Sequence, residues 1–256
     1  KNYWIISGPF VDYVQAIFFY IFGVNWQSYV LHASFINAVL SVATFLFFRN
    51  FSLNIYASFI YASLFSILAY PISGTPFVDH HSAFFSLLGI YSLILGIKNE
   101  SKIHWFLLPI FFGFAFLSKQ VPSSYIILSS ILVLVIFSLV KSKFYWIKYS
   151  FLSSIFFILF LFVFGKFQEI NLSSFLEQYL FYPQSVGAQR FENFNFTYRG
   201  AIDHFKFIYI AIIPLFYVNF KKIFFENKYY KSNDFYNFLT LVFLTFALIL
   251  HQLLTR

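Results

Sequence analysis

Three groups of polar residues stand out in an otherwise apolar chain, and each suits a particular chemistry. Asp79-His80-His81 sets a carboxylate and two imidazoles at the start of an apolar run. A carboxylate beside an imidazole can take a proton, hold a substrate hydroxyl or phosphate, or ligate a metal. Adjacent helical residues diverge by about 100°, so Asp79 with one histidine makes a better pair than the two histidines together. The plainer role for Asp79 is an N-cap that accepts from the free N–H groups of a first turn. Lys119, followed by Gln120 and Pro122, is the second group. An ammonium at membrane depth suits a phosphate or pyrophosphate, although a lysine there can also snorkel to the interface. Arg190 and Arg199 are the third. Guanidinium groups bind phosphate bidentately; the alternatives are a solvated loop charge or a pair with Glu192 or Asp203. His32 and His251 lie inside apolar runs and read as hydrogen-bonded packing residues, and His104 and His204 read as interfacial.

Other chemistries lack their residues. There is no cysteine, hence no disulfide, thiolate metal site or thiol nucleophile. Walker, G-x-S-x-G and H-E-x-x-H patterns are absent, which argues against ATP-driven transport by this chain alone. Asn171 and Asn195 match the N-glycosylation acceptor pattern, which is common by chance.

The elements that position these residues follow from composition. Of 256 residues, 60% are hydrophobic and 10% are charged, and the mean hydropathy is +0.76. A soluble domain carries about 25% charged residues, so a soluble enzyme, a disordered tail and a nucleic-acid-binding module are excluded. The 43 Phe fit a compositional bias, with sugar-stacking or lipid-chain surfaces as the sharper alternative. A membrane span needs about 20 apolar residues. Charge-poor runs predict eight, at 28–48, 52–71, 80–97, 104–118, 121–140, 147–165, 205–220 and 236–253. The run ending at Ser118 is short and contains Pro109, which predicts a recessed turn at Lys119.

Connections on one side hold Arg49, Lys98, Lys102, Lys141, Lys143, Lys148, Lys221, Lys222, Lys228 and Lys231, with few acids. This side is expected to be cytoplasmic, and the acidic side exoplasmic. The exoplasmic connection 166–204 is the longest. It is expected to open with an interfacial helix carrying Phe175, Leu176, Tyr179 and Leu180 on one face, ended by Pro183. Near the N-terminus, Gly8-Pro9 opens a stretch in which Ile17, Phe18, Ile21 and Phe22 recur at helical spacing around Asp12 and Gln15. It predicts an amphipathic helix in the interface.

The segment "SGPFVDYVQAIFFYIFGVNWQSYVLHASFINAVLSVATFLFFRNF" resembles a recurrent part of GT-C class membrane glycosyltransferases. These are the dolichyl-phosphate-mannose–protein mannosyltransferase-like and aminoarabinose-transferase-like families. The later segment from "PFVDHHSAFF" to the "FGFAFLSK" turn is similar to their second acidic segment, span, basic loop and Leu-Ser-Lys turn. The resemblance covers about residues 1–140 and weakens beyond. It implies transfer of a sugar from a polyprenyl-phosphate donor to a lipid, glycan or protein acceptor on the exoplasmic face. It further implies that the main catalytic acid lies upstream of Lys1, on a span and loop preceding this chain, which begins without Met. Within this chain the resemblance assigns Asp79 and His80 to catalysis, Lys119, Arg190 and Arg199 to the donor phosphate, and His81, Gln120 and Asp12 to substrate positioning. Asp-His departs from the family's Asp-Glu pair and leaves a divalent metal open; no metal ligands are assigned.

The expected protein is thus an all-α integral membrane protein, a polytopic bundle of about eight transmembrane helices with interfacial helices. It is read as one transmembrane glycosyltransferase-like domain over 1–256, a fragment of a multi-pass protein of the bacterial inner membrane. An O-antigen polymerase or ligase is the alternative enzyme. A secondary transporter is the alternative of another class, against which the clustering of charge at one face counts.

Overall fold

A computed structural model of the chain describes residues 8–71, 74–192 and 197–254. Among the described residues every regular element is helical. They divide into two compact units, the first ending at Ser123 and the second beginning at Ser124. Among the described residues six helices are long and apolar enough to cross a membrane, as an all-α polytopic membrane protein requires.

In the first unit, α1 (Pro9–Phe22) is entered through Gly8, whose φ of 73° is left-handed. A Cβ on Gly8 would lie 2.2 Å from Val78 Cγ1 and 3.3 Å from Ser118 O. Glycine is needed there for both conformation and space. Val11 and Gln15 are buried, while Ile17, Tyr20, Ile21 and Phe22 form an exposed apolar face. An exposed apolar face is what a helix lying in the interface presents to lipid.

Next, α2 (Trp26–Asn50) is capped by Asn25, which accepts from Ser28 N at 3.0 Å. Helix α3 (Ile55–Ala69) has 15 residues, about 22 Å at 1.5 Å per residue. It falls short of a full span, although 52–71 was expected to supply one. Asn54, which caps it by accepting from Ala57 N, starts the helix late.

Helices α4 (Val78–Asn99) and α5 (Lys102–Ser118) form the tightest pair of this unit. Gly89 and Gly96 lie two turns apart on α4. They receive the rings of Phe112 and Trp105, also two turns apart on α5. Buried polar groups bind the remaining helices, as expected where lipid supplies no hydrophobic drive between them. Thr44 of α2 meets Tyr91 of α4 at 3.0 Å, and Asn37 of α2 donates to Ser66 O of α3 at 2.9 Å.

Helix α6 (Gln120–Lys141) is non-helical at Val121 and leads into the second unit. There it packs on α12 (Asn233–Leu254), with Phe137 edge-on to Tyr236 and Lys141 donating to Asn233 at 2.6 Å. Helices α7 (Tyr145–Phe167) and α11 (Lys206–Phe225) leave Phe151, Phe160, Phe216 and Phe220 exposed, as faces for lipid. Between them lie α8 (Leu172–Leu176), a π-turn (Glu177–Phe181), α9 (Tyr182–Glu192) and the short α10 (Tyr198–Ala201). Pro183, expected to end the interfacial helix, instead stands in the first turn of α9. The wider π-turn immediately before it breaks the i→i−4 register. That relieves the clash of the proline ring with the preceding turn and the loss of its N–H.

Candidate functional site

The short α5 ends as its length predicts. Ser118 is its last helical residue, and Lys119 is extended at φ −160°, ψ 131°. The break leaves backbone groups needing partners, and a buried unpaired group is costly. Lys119 N donates to Ala115 O at 3.0 Å. Lys119 O accepts from Ser82 Oγ at 3.2 Å and from Ser123 Oγ at 2.5 Å. Two buried serines thus satisfy the broken turn and tie it to the first turns of α4.

That tie sets the side chains. Asp79 lies in the first turn of α4, but the N-cap residue is Phe77, with no capping side chain. Its carboxylate instead accepts from Lys119 Nζ at 2.5 Å, with the lysine side chain 33% and the carboxylate 59% exposed. A carboxylate in a first turn is also favoured by the helix dipole. The pair joins two residues that sequence analysis singled out separately, forty positions apart. It is an open ammonium–carboxylate pair beside a break in the helices.

The histidines separate. His80 is half-buried against the rings of Phe77 and Phe84, its Nδ1 buried and without a hydrogen-bond partner. His81 is only 1% exposed. Its Nε2 lies 3.0 Å from Nε2 of His32, which is fully buried. His32 Nδ1 in turn lies 2.8 Å from the Gln15 amide. In the sequence His32 reads as a hydrogen-bonded packing residue and Gln15 as part of an interfacial helix, and neither is connected to His81. The usable signal was that His32 and Gln15 are polar residues in apolar helices flanking the acidic segment.

Gln120 is half-buried just after Lys119. Asp12 is exposed in the first turn of α1. Partial desolvation by neighbouring groups nonetheless pushes its carboxyl above the usual carboxylate range. Arg199 is exposed on α10, in the second unit, where Thr197 caps the turn and Asp203 pairs with Lys206 at 3.0 Å. Arg190 lies on α9; its side chain, like those of Glu192 and His204, and all of Asn195, fall outside the described residues. Asn171 caps α8 by accepting from Ser174 N at 3.1 Å. Among the described residues no three His, Asp or Glu side chains converge as a metal ligand set.

The opposite end of the first unit is basic. Lys98 donates to Asn50 O, and its ammonium lies 4.0 Å above the Phe51 ring. Arg49 donates to Leu53 O at 2.5 Å.

Comparison with known proteins gives one finding. The family model described as dolichyl-phosphate-mannose-protein mannosyltransferase matches residues 7–164. No curated protein matches the chain. No solved structure matches it.

Proposed function

The chain belongs to the dolichyl-phosphate-mannose-protein mannosyltransferase family, and from that membership we propose that the Asp79–Lys119 pair is the phosphate side of its sugar-transfer site. The protein is an integral multi-pass membrane glycosyltransferase of the kind that draws on a polyprenyl-phosphate sugar donor. The observation that carries the reading is the ammonium of Lys119, held by Asp79 at 2.5 Å at a break in the helices.

In the transfer, an acceptor hydroxyl adds to the anomeric carbon. The bond from that carbon to the phosphate oxygen breaks, and the hydroxyl proton passes to a carboxylate. Charge grows on the departing polyprenyl phosphate, and a fixed cation beside it lowers the barrier. Lys119 supplies this cation. An ammonium has three N–H donors, so it can hold Asp79 and a phosphate oxygen together. His80, next to Asp79 with an unbonded buried nitrogen, lines the same end and positions substrate. Gln120, next to Lys119 in the chain, and Asp12 of α1 are assigned to substrate positioning. The acceptor is a glycan, lipid or protein, and the reaction faces the exoplasm of a bacterial inner membrane.

A donor comparison tests the reading. The full-length protein, purified in lipid nanodiscs, is given radiolabelled sugar as a polyprenyl phosphate or as a nucleotide diphosphate, with membrane extract as acceptor source. Transfer from the lipid phosphate alone is expected. Transfer from the nucleotide sugar alone would overturn the assignment.

A further inference from the structure

Gln15, His32 and His81 meet in the first unit, and none of the roles above uses the contact between them. The three come from three elements: Gln15 from α1, His32 from α2 and His81 from α4. They form a chain of hydrogen bonds that ends at Phe77 O, 2.9 Å from His81 Nδ1. Phe18 stacks on the His32 ring at 4.9 Å and closes one side.

Proton accounting fixes the direction of this chain. A carbonyl oxygen only accepts, so His81 Nδ1 must carry its hydrogen. If His81 is neutral, its Nε2 is then an acceptor. The 3.0 Å contact requires His32 Nε2 to donate, and His32 Nδ1 becomes an acceptor in turn. Only an N–H can then face His32 Nδ1, and the Gln15 amide must present its NH2. Which end of an amide is nitrogen is an assignment made from its partners. This orientation gives Gln15 Nε2, otherwise buried without a partner, the acceptor it lacks. With the amide oxygen towards His32, either His32 or His81 would need hydrogens on both nitrogens and become a buried cation. Among the described residues no carboxylate bonds to either ring, and a buried charge without a partner is expensive. The ionisable groups at this end are Asp12 on α1, Tyr70 after α3, Asp79 and His80 on α4, and Lys119 after α5.

We propose that Gln15, His32 and His81 form a neutral, one-way hydrogen-bonded clasp, from Gln15 Nε2 to Phe77 O, whose task is to hold the Asp79–Lys119 pair for the donor phosphate. His32 and His81 are positioning residues. The mechanical reason is local. The first turn of α4 carries Asp79, yet Phe77 gives it no capping side chain. The turn is held from three sides: by Gly8 against Val78, by Ser82 on Lys119 O, and by His81 on His32. The third hold fastens α4 to both α1 and α2. The inference rests on the transfer reading above for its purpose, though not for its geometry.

The experiment uses the full-length protein in nanodiscs with 15N-histidine, and with 15N-lysine and 13C-aspartate. Solid-state NMR of the ring nitrogens is expected to find hydrogen on Nδ1 of His81 and on Nε2 of His32. A dipolar distance measurement is expected to find the Lys119–Asp79 contact in wild type and in His32→Gln, and to find it lost in His32→Leu. Glutamine can accept from Gln15 and donate to His81, so the polarity of the chain survives; leucine only fills the space. In donor titrations, His32→Leu should raise the donor KM about tenfold, or about 1.4 kcal/mol, while His32→Gln stays within about threefold. The opposite tautomers, a doubly protonated His32 or His81 at neutral pH, or a Lys119–Asp79 contact intact in His32→Leu would overturn the clasp. A wild-type protein that shows the tautomers and contact but transfers nothing from the lipid phosphate would count against the transfer reading instead.

Discussion

A lysine and an aspartate forty residues apart carry most of the functional argument, and their geometry makes the two substitutions unequal. Asp79→Asn keeps a side chain that can still accept from Lys119 but cannot take a proton. It is expected to cut kcat about a hundredfold with little change in donor KM. Lys119→Arg keeps the charge but replaces a point cation by a planar fork, and should retain partial activity with an altered donor KM. Steady-state kinetics on both variants checks the difference; an Asp79→Asn enzyme with unchanged kcat would return Asp79 to a purely structural role. Lys119 was legible in the sequence because a span that ends early and is followed by lysine is unusual. Asp79 stood out as well, but its pairing with Lys119 was not legible. Asp79 looks like a helix cap until the structure shows that Phe77 occupies the cap position and the carboxylate turns to Lys119. Gln15, His32 and His81 were illegible as a group for a similar reason. Each has a bland local role, and only the packing of α1, α2 and α4 brings them together.

Two close approaches between elements decide where these side chains sit. Gly8 combines a left-handed φ with a backbone pressed on Val78, so Gly8→Ala adds strain and a clash. It is expected to cost about 1–3 kcal/mol and to loosen α1, read as a lower unfolding temperature and faster proteolysis within 9–22. On α4, Gly89 faces Phe112, where a Cβ would lie 2.3 Å from the ring. Gly89→Ala should destabilise by about 1–3 kcal/mol through overpacking, with partial recovery in the double variant Gly89→Ala, Phe112→Leu. Thermal unfolding of the three proteins tests this, and a Gly89→Ala protein as stable as wild type would show that the pair is looser than described. Helix periodicity and charge-free length made the long elements readable in advance. It failed at α3 and at Pro183. A capping asparagine shortened the first, and a π-turn let the second continue. Neither device has a strong signature in hydropathy.

Charge is sorted along the first unit in a way that predicts orientation. Within the first unit, Arg49 and Lys98 meet at one end, and Asp79, Lys119 and the buried histidines at the other. Lys and Arg beside spans favour the cytoplasm, so the Asp79 end should be exoplasmic. The chain contains no cysteine, so a single introduced thiol reports its own side. In intact cells, Thr75→Cys is expected to react with a membrane-impermeant maleimide, and Ser52→Cys and Ser101→Cys only after permeabilisation. The reverse pattern would place the site on the cytoplasmic side. The apolar composition and basic connections already announced a multi-pass membrane protein. The reaction class came from the order of its motifs and from the family match over residues 7–164.

The most direct test of the central claim is the rate of sugar release from a polyprenyl-phosphate donor by the full-length protein and its Lys119→Ala variant, with folding of both verified by thermal unfolding. If Lys119 neutralises the departing phosphate, the variant loses about a hundredfold or more in kcat/KM. A Lys119→Ala protein that binds donor and transfers sugar at the wild-type rate would contradict the account.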